Sequence, residues 1–376
     1  MRQLIRFEVG KMLRRPLVLA SFIGLIFFMA IMEYNWVVPG YGAVVSAANG
    51  QRVTLENFEA IQASKEISAI CSGPFTDEKV RAIIETYDMP DSFWEANGLD
   101  PNMERYYSHN LMYDILSING FVDYDGGYSG LTVKDVFGAL SPDLIIGYST
   151  GWECTVYMLL YTFLTWGCIL VIIVAPVFSE EYTSHMDALI LTGIHGRKKC
   201  TVAKTIASFI IAIIGSASCL AVSTLLLLTV HGSMGWDSSV QLGELQIFER
   251  VPYQMNWLQA YGLACLAWFG GILVLTSIVL VVSALAKNSF SALVIAFAIY
   301  VVPMFLPWSL LPESVEFCGY LFPINQMQLM NLLSCHKLSL GSLEFAPIYL
   351  AVPITVIALI AGILWSKKEF SHHQVV

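Results

Sequence analysis

Six stretches of the chain, 17–32, 154–178, 205–230, 258–286, 289–311 and 346–365, are apolar and contain no Asp, Glu, Lys, Arg or His. Nothing else in the sequence limits the fold as strongly. A helix crosses the hydrocarbon of a bilayer with about 20 apolar residues, and in that medium each backbone amide has to be satisfied inside its own segment. The expectation is therefore an all-α membrane protein with six transmembrane helices. The first run is short, and Tyr34 and Trp36 extend it into the interface. Composition agrees, with 56% hydrophobic and 13% charged residues and a mean hydropathy of +0.64. Val45-Ser46-Ala47 resembles a signal-peptide cleavage site, but it lies well downstream of the end of the first run, so that run is expected to stay as an anchor.

Lys and Arg in short loops set orientation, whereas acidic residues and long loops count for little. Placing both termini in the cytosol puts Arg2, Arg6, Lys11, Arg14, Arg15, Arg197, Lys198, Lys199, Lys204, Lys287, Lys367 and Lys368 inside. The long acidic segment 36–152 is then outside. The formal charge of −9 belongs to that outer surface and gives no reason to expect a nucleic-acid partner.

An ionisable group at mid-span costs about 2.5–3.5 kcal/mol on insertion scales, and ion-coupled transporters and pumps accept this because the group carries the coupling. A chain whose apolar runs have none takes its energy from elsewhere if it moves a solute. It has no G-x-x-x-x-G-K-[ST] phosphate loop, no H-E-x-x-H and no dinucleotide fingerprint, so no nucleotide cofactor, metal or catalytic group is expected in the chain itself. One motif fits by letters: Gly147-Tyr148-Ser149-Thr150-Gly151 matches the G-x-S-x-G nucleophile elbow and would make Ser149 the nucleophile of a membrane-tethered serine hydrolase. The other reading is a glycine-rich turn at the membrane surface. The eight cysteines include no C-x-x-C, and Cys318 and Cys335, which share one loop, are open to either a disulfide or two free thiols.

Two pieces remain on the cytosolic side. In 1–16, Ile5, Val9, Met12 and Leu13 recur at helical spacing among basic residues, and Pro16 opens the first span, which predicts an amphipathic interfacial helix; a plain basic topogenic anchor is the other reading. In 179–204, Ser179 is positioned to cap a helix with Glu180 and Glu181 in its first turn. Tyr182, Met186, Leu189 and Ile190 would share one face of it. Gly193 and Gly196 end the helix, and Arg197-Lys198-Lys199 anchors the next span. A loop that only reversed direction would not need such a surface, and docking to a cytosolic protein is expected.

Glu180-Glu181, Asp187-Ala188-Leu189-Ile190-Leu191-Thr192, Gly196-Arg197-Lys198-Lys199 and Ala203-Lys204 resemble the segment after the second span in ABC-2-type transporter permeases. The amphipathic N-terminus, the large domain between spans one and two, and the long outer loop before span six also fit. The chain departs from that pattern with Ser184 and Asp187 where glycine is frequent, and with no proline before the basic elbow. The resemblance implies a permease subunit of an ABC exporter, located in the bacterial plasma membrane. A separate cytosolic ATPase, in two copies, would hold ATP and Mg, and a second permease, identical or homologous, would complete the assembly. It further implies that the ATPase couples to the chain through Ile5, Val9, Met12, Glu180, Glu181, Tyr182, Met186, Leu189, Ile190 and Arg197.

The expected order is an interfacial helix (1–16), span one (17–35), a mostly helical extracellular domain (36–152), span two (153–178), the coupling segment (179–204) and spans three to six (205–376), with outer loops 231–257 and 312–345. Within the extracellular domain helices are expected over 54–71, 76–87 and 102–116, with Thr76 as a cap; Asp123 and Asp125 sit in a solvated turn whose spacing does not match a calcium loop. Residues 323–333 are apolar enough for a short re-entrant helix. The expected cargo is an amphipathic compound such as an antimicrobial peptide, drug or lipid. Sodium export, a hydrolase built on Ser149 and a non-transporting membrane sensor are the alternatives, and membrane lipid is a partner in all of them.

Overall fold

The computed structural model describes residues 1–38, 42–46, 52–87, 111–123, 127–193, 196–243, 251–306, 310, 312, 319, 322–333, 337–340 and 343–372. In chain order the elements are α1 (Arg2–Leu13), α2 (Pro16–Val37), β1 (Gly42–Ser46), β2 (Arg52–Leu55), α3 (Asn57–Cys71), β3 (Gly73–Pro74), α4 (Asp77–Tyr87), α5 (Leu111–Ile118), α6 (Val133–Phe137), β4 (Ile145–Ile146), α7 (Thr150–Val174), α8 (Pro176–Thr183), α9 (Asp187–Thr192), α10 (Thr201–Val230), α11 (Trp257–Leu285), α12 (Ser289–Val301), α13 (Pro323–Gln326), α14 (Leu329–Leu333), β5 (Leu338–Leu340), β6 (Leu343–Phe345) and α15 (Pro347–His372).

The protein is a mostly helical, multi-pass membrane protein. Four segments are each long and apolar enough to cross a bilayer: Thr150–Thr183, Lys198–Val230, Trp257–Leu285 and Pro347–Ser371. The bent pair α1–α2 makes a fifth if taken as one span, with the axes of its two parts 67° apart. The bend has a local cause, since Arg15 precedes a proline and is pushed out of helical geometry, while Pro16 at the first position of α2 has no amide to lose. The fifth run of the sequence forms a shorter apolar helix, Ser289–Phe305. Its α-helical part stops at Val301 and one 3₁₀ turn carrying Pro303 follows. At 1.5 Å per residue it is about 25 Å long, against about 30 Å of hydrocarbon.

The residues form two compact units. The first comprises Met1–Ala30, Leu159–Val222 and Leu263–Val376. Aromatic side chains fill its interior, and their polar tips find partners as buried indoles and phenols must. Trp166 Nε1 donates to Ser216 Oγ at 2.9 Å, and Gly215 leaves room for that indole ring. Phe163 stacks on Trp268 with centroids 4.1 Å apart. The Tyr300 hydroxyl donates to the Phe163 carbonyl at 3.1 Å across the space that Gly167 leaves open. Residues 323–333 form two short helices, α13 and α14, where one was expected.

The second unit comprises Ile31–Met158 and Ser223–Gly262. Its core gathers Ile61, Phe75, Val80, Ile83, Met112, Ile115, Leu116, Phe121 and Ile146 from α3, α4, α5, β4 and adjoining segments. Thr76 caps α4 by accepting from the Lys79 amide at 3.3 Å. A capping box starts α6, with Thr132 and Asp135 satisfying each other's amides. Residues 54 and 55, expected to be helical, belong to β2, which pairs antiparallel with β1, and β3 pairs with β4. The expected helix over 102–116 is seen only from Leu111, because 88–110 lie outside the described residues, as do Asp125, Cys318 and Cys335. Asp123 closes a turn by accepting from the Gly127 amide at 2.9 Å.

Candidate functional site

Segment 179–204, where coupling is expected, begins with a helix end. Ser179 does not cap it: the helix starts at Pro176, and the Ser179 hydroxyl donates back to the Ala175 carbonyl at 2.9 Å. A proline at the first position leaves the next amides without partners inside the helix. Ser283 of α11 supplies one, its Oγ accepting from the amides of Phe178 at 2.9 Å and Ser179 at 3.2 Å. Because α8 continues the line of α7, Glu180 and Glu181 fall in the last turn of one long span, Thr150–Thr183.

The single helix expected from Glu180 to Thr192 is in fact broken. His185 takes a positive φ of 53°, its amide donates to Tyr182 O, and the Met186 amide donates to Glu181 O. These two bonds make a Schellman motif, which usually uses glycine at the left-handed position and here uses histidine. Tyr182 is thereby separated from Met186, Leu189 and Ile190. Its hydroxyl donates to Ala284 O at 3.1 Å and its ring lies 5.9 Å from that of Phe370.

Behind this break six charged groups assemble from three parts of the chain. Glu8 and Lys11 lie at i and i+3 on one stripe of α1, and Arg15 follows at the bend between α1 and α2. Lys204 is in the first turn of α10, and its side chain is 2% exposed. Its ammonium donates to Glu181 Oε1 at 2.6 Å, to Glu8 Oε2 at 3.3 Å and to the Val177 carbonyl at 3.2 Å, which accounts for all three N–H groups of a lysine. The Glu181 carboxylate, 7% exposed, also accepts from Lys11 Nζ at 3.0 Å. Glu180 pairs with Arg15, and with Lys11 at 3.5 Å. Burial alone would lower the Lys11 pKa, but the Glu181, Glu180 and Glu8 carboxylates outweigh it and hold the ammonium above its ordinary value.

The structure divides the residues singled out from the sequence. Met12 and Glu181 are buried, Ile5, Val9, Tyr182 and Ile190 are half-buried, and Glu180 faces the ion cluster. Met186 at 45% and Leu189 at 70% are exposed. The Arg197 backbone lies in a π-helical turn, Gly196–Cys200, and its side chain is outside the described residues. Leu13, expected on the apolar face of α1, is also exposed. Sequence reading missed Glu8 and Lys204. Glu8 is three residues from Ile5 and four from Met12, so it lies within the apolar stripe, and that position was the available signal.

The G-x-S-x-G motif is occupied with packing. Ser149 is fully buried. Gly147 lies against Ser238, Gly151 lies against the His231 ring, and the Tyr148 hydroxyl and His231 Nδ1 are 2.6 Å apart. A nucleophile has to be reached by substrate, and a side chain with no exposure does not offer that. Among the described residues no group of three His, Cys, Asp or Glu is placed to hold a metal ion.

A family model described as ABC-2 family transporter protein matches residues 4–338, which take in α1, the ion cluster and the elements through α14. No curated protein and no solved structure matches the chain.

Proposed function

The chain belongs to the ABC-2 family of transporter proteins, and from that premise we propose that it is the permease subunit of an ATP-driven exporter, forming the membrane pathway for an amphipathic substrate such as an antimicrobial peptide, drug or lipid. Two copies of a cytosolic ATPase supply the energy, and a second permease, identical or homologous, completes the pathway. The protein resides in a bacterial plasma membrane with both termini in the cytosol. It has six spans, counting α2 and Ser289–Phe305, and 36–152 are extracellular.

One observation carries the coupling part of this reading. Met186 and Leu189 are left exposed on a short segment that directly follows a helix end fixed by buried ion pairs. Exposed apolar side chains on a firmly held base are what a docking partner uses as anchors. Ile5, Val9 and Met12 contribute from behind, by seating α1, and Tyr182 does so through Ala284.

The test is to purify the protein from its native membrane and identify what accompanies it. An ATPase subunit is expected to co-purify, and the complex is expected to hydrolyse ATP. The chain freed of other subunits is expected to show no hydrolysis, and ATPase activity from such a preparation would overturn the two-component reading.

A further inference from the structure

We propose that the six-charge cluster is a rigid clamp that makes α1, the end of α8 and the start of α10 move as one body, with Lys204 as its positioning residue. This rests on the permease reading, because a clamp between these elements matters only if something pushes on them.

Three carboxylates, Glu8, Glu180 and Glu181, meet three cations, Lys11, Arg15 and Lys204, so the cluster as a whole is neutral, with Lys204, Glu8 and Glu181 buried and Lys11, Arg15 and Glu180 at its more exposed rim. Buried ion pairs add little to stability, because desolvation offsets their attraction, but removing one partner leaves an uncompensated charge and is strongly unfavourable. Such a cluster therefore selects one arrangement over its neighbours more than it strengthens the fold. Here the selection is tight. Lys204 is bound to α1 through Glu8 and to α8 through Glu181 and the Val177 carbonyl. Glu181 is shared between Lys204 and Lys11, and Arg15 extends the contact to the junction of α1 and α2. Sliding α1 by one turn, about 5.4 Å, would part Glu8 from Lys204 and Lys11 from Glu181 together. Covalent connection cannot perform this role, since α1 and α10 are far apart in sequence and the segment between α8 and α10 is interrupted by Gly193 and Gly196.

The consequence is mechanical. A force applied at Met186 and Leu189, or on α1, reaches the start of α2, the end of the 150–183 span and the start of the 198–230 span at once. Without the clamp α1 would pivot at Arg15 and Pro16, and the push would be lost there.

Spin labels carried by non-natural amino acids at the exposed positions Phe7 and Ser184 read the clamp directly by pulsed dipolar spectroscopy. In the unaltered chain one narrow distance is expected, and it should not shift when the ATPase complex is trapped with ATP and vanadate. Lys204→Met should broaden the distribution by about twofold or more, with helicity and membrane level retained. If that variant fails to accumulate, Lys11→Gln combined with Arg15→Gln, at the more exposed rim, is expected to give the same broadening. A shift on trapping in the unaltered complex, or an unbroadened distribution in whichever variant accumulates, overturns the clamp. If no ATPase associates at all, the permease reading fails, while the nucleotide-free comparison of Lys204→Met with the unaltered chain still decides the clamp.

Discussion

Leu189 lies between two spans and Lys204 in the first turn of the second of them, and their environments are opposite. Leu189 is 70% exposed and bears none of the fold, so Leu189→Asp should change the chain's own stability by less than about 0.5 kcal/mol. In a docked complex the same change removes an apolar anchor and buries a charge, which costs about 2 kcal/mol or more, roughly thirtyfold in Kd. The expected outcome is normal membrane abundance with ATPase co-purification reduced by that factor, read by quantitative pull-down. An unchanged yield of ATPase would make Leu189 a solvated loop residue. Lys204 shows why half of the site was hard to read from sequence. It sits one residue before an apolar run and reads by sequence as a topological charge, because hydropathy ends where the first lysine appears. The helix does not end there: Thr201–Val230 is continuous, and the ammonium is stable inside it only because Glu8 and Glu181 arrive from distant parts of the chain. Local sequence contains the charges but not their pairing.

Element boundaries follow the same logic. The span ending near 178 was legible in its apolar run, yet α8 carries the helix on to Thr183, past Pro176, because Ser283 of α11 accepts the two amides that the proline leaves open. Nothing within 176–183 announces that partner. The break after Thr183 was equally hidden, since the left-handed position is held by His185, where a glycine would have given it away. Ser283→Ala tests the tertiary cap. It leaves two buried amides without an acceptor, and each such loss costs about 1–3 kcal/mol, so a clearly lower melting temperature of the detergent-purified protein is expected. The variant should also expose the 176–183 amides to faster hydrogen exchange. Unchanged exchange there would mean that another acceptor replaces Ser283. By contrast the cap of α4 was readable, because Thr76, Asp77 and Glu78 lie next to each other and a local motif needs no distant partner.

At the scale of the whole molecule the legible part was the class. Long runs without charge admit only helices in lipid, and four segments meet that standard outright. The second unit was less legible. The helices expected over 54–71 and 76–87 came through in most of their length and the third from Leu111 on, but α6 and the β pairs did not, the latter because strands of two to five residues are too short to show alternation. The expected sidedness rests on charge: most of the basic residues lie at the chain ends, beside α10 and between α11 and α12, whereas the segment between α2 and α7 has an acidic balance. Lys and Arg resist translocation and long acidic segments do not, so the topology we propose, with α4 outside and the π-helical turn before α10 inside, is open to a direct test. Glu85 and Lys198 are both exposed, so a cysteine at either should be reachable from its own side without disturbing packing. In intact cells an impermeant maleimide is expected to label Glu85→Cys and to leave Lys198→Cys unmodified until the membrane is permeabilised. The reverse pattern would put the ion cluster, Met186 and Leu189 on the side that has no ATP, and no cytosolic ATPase could then reach the surface assigned to it.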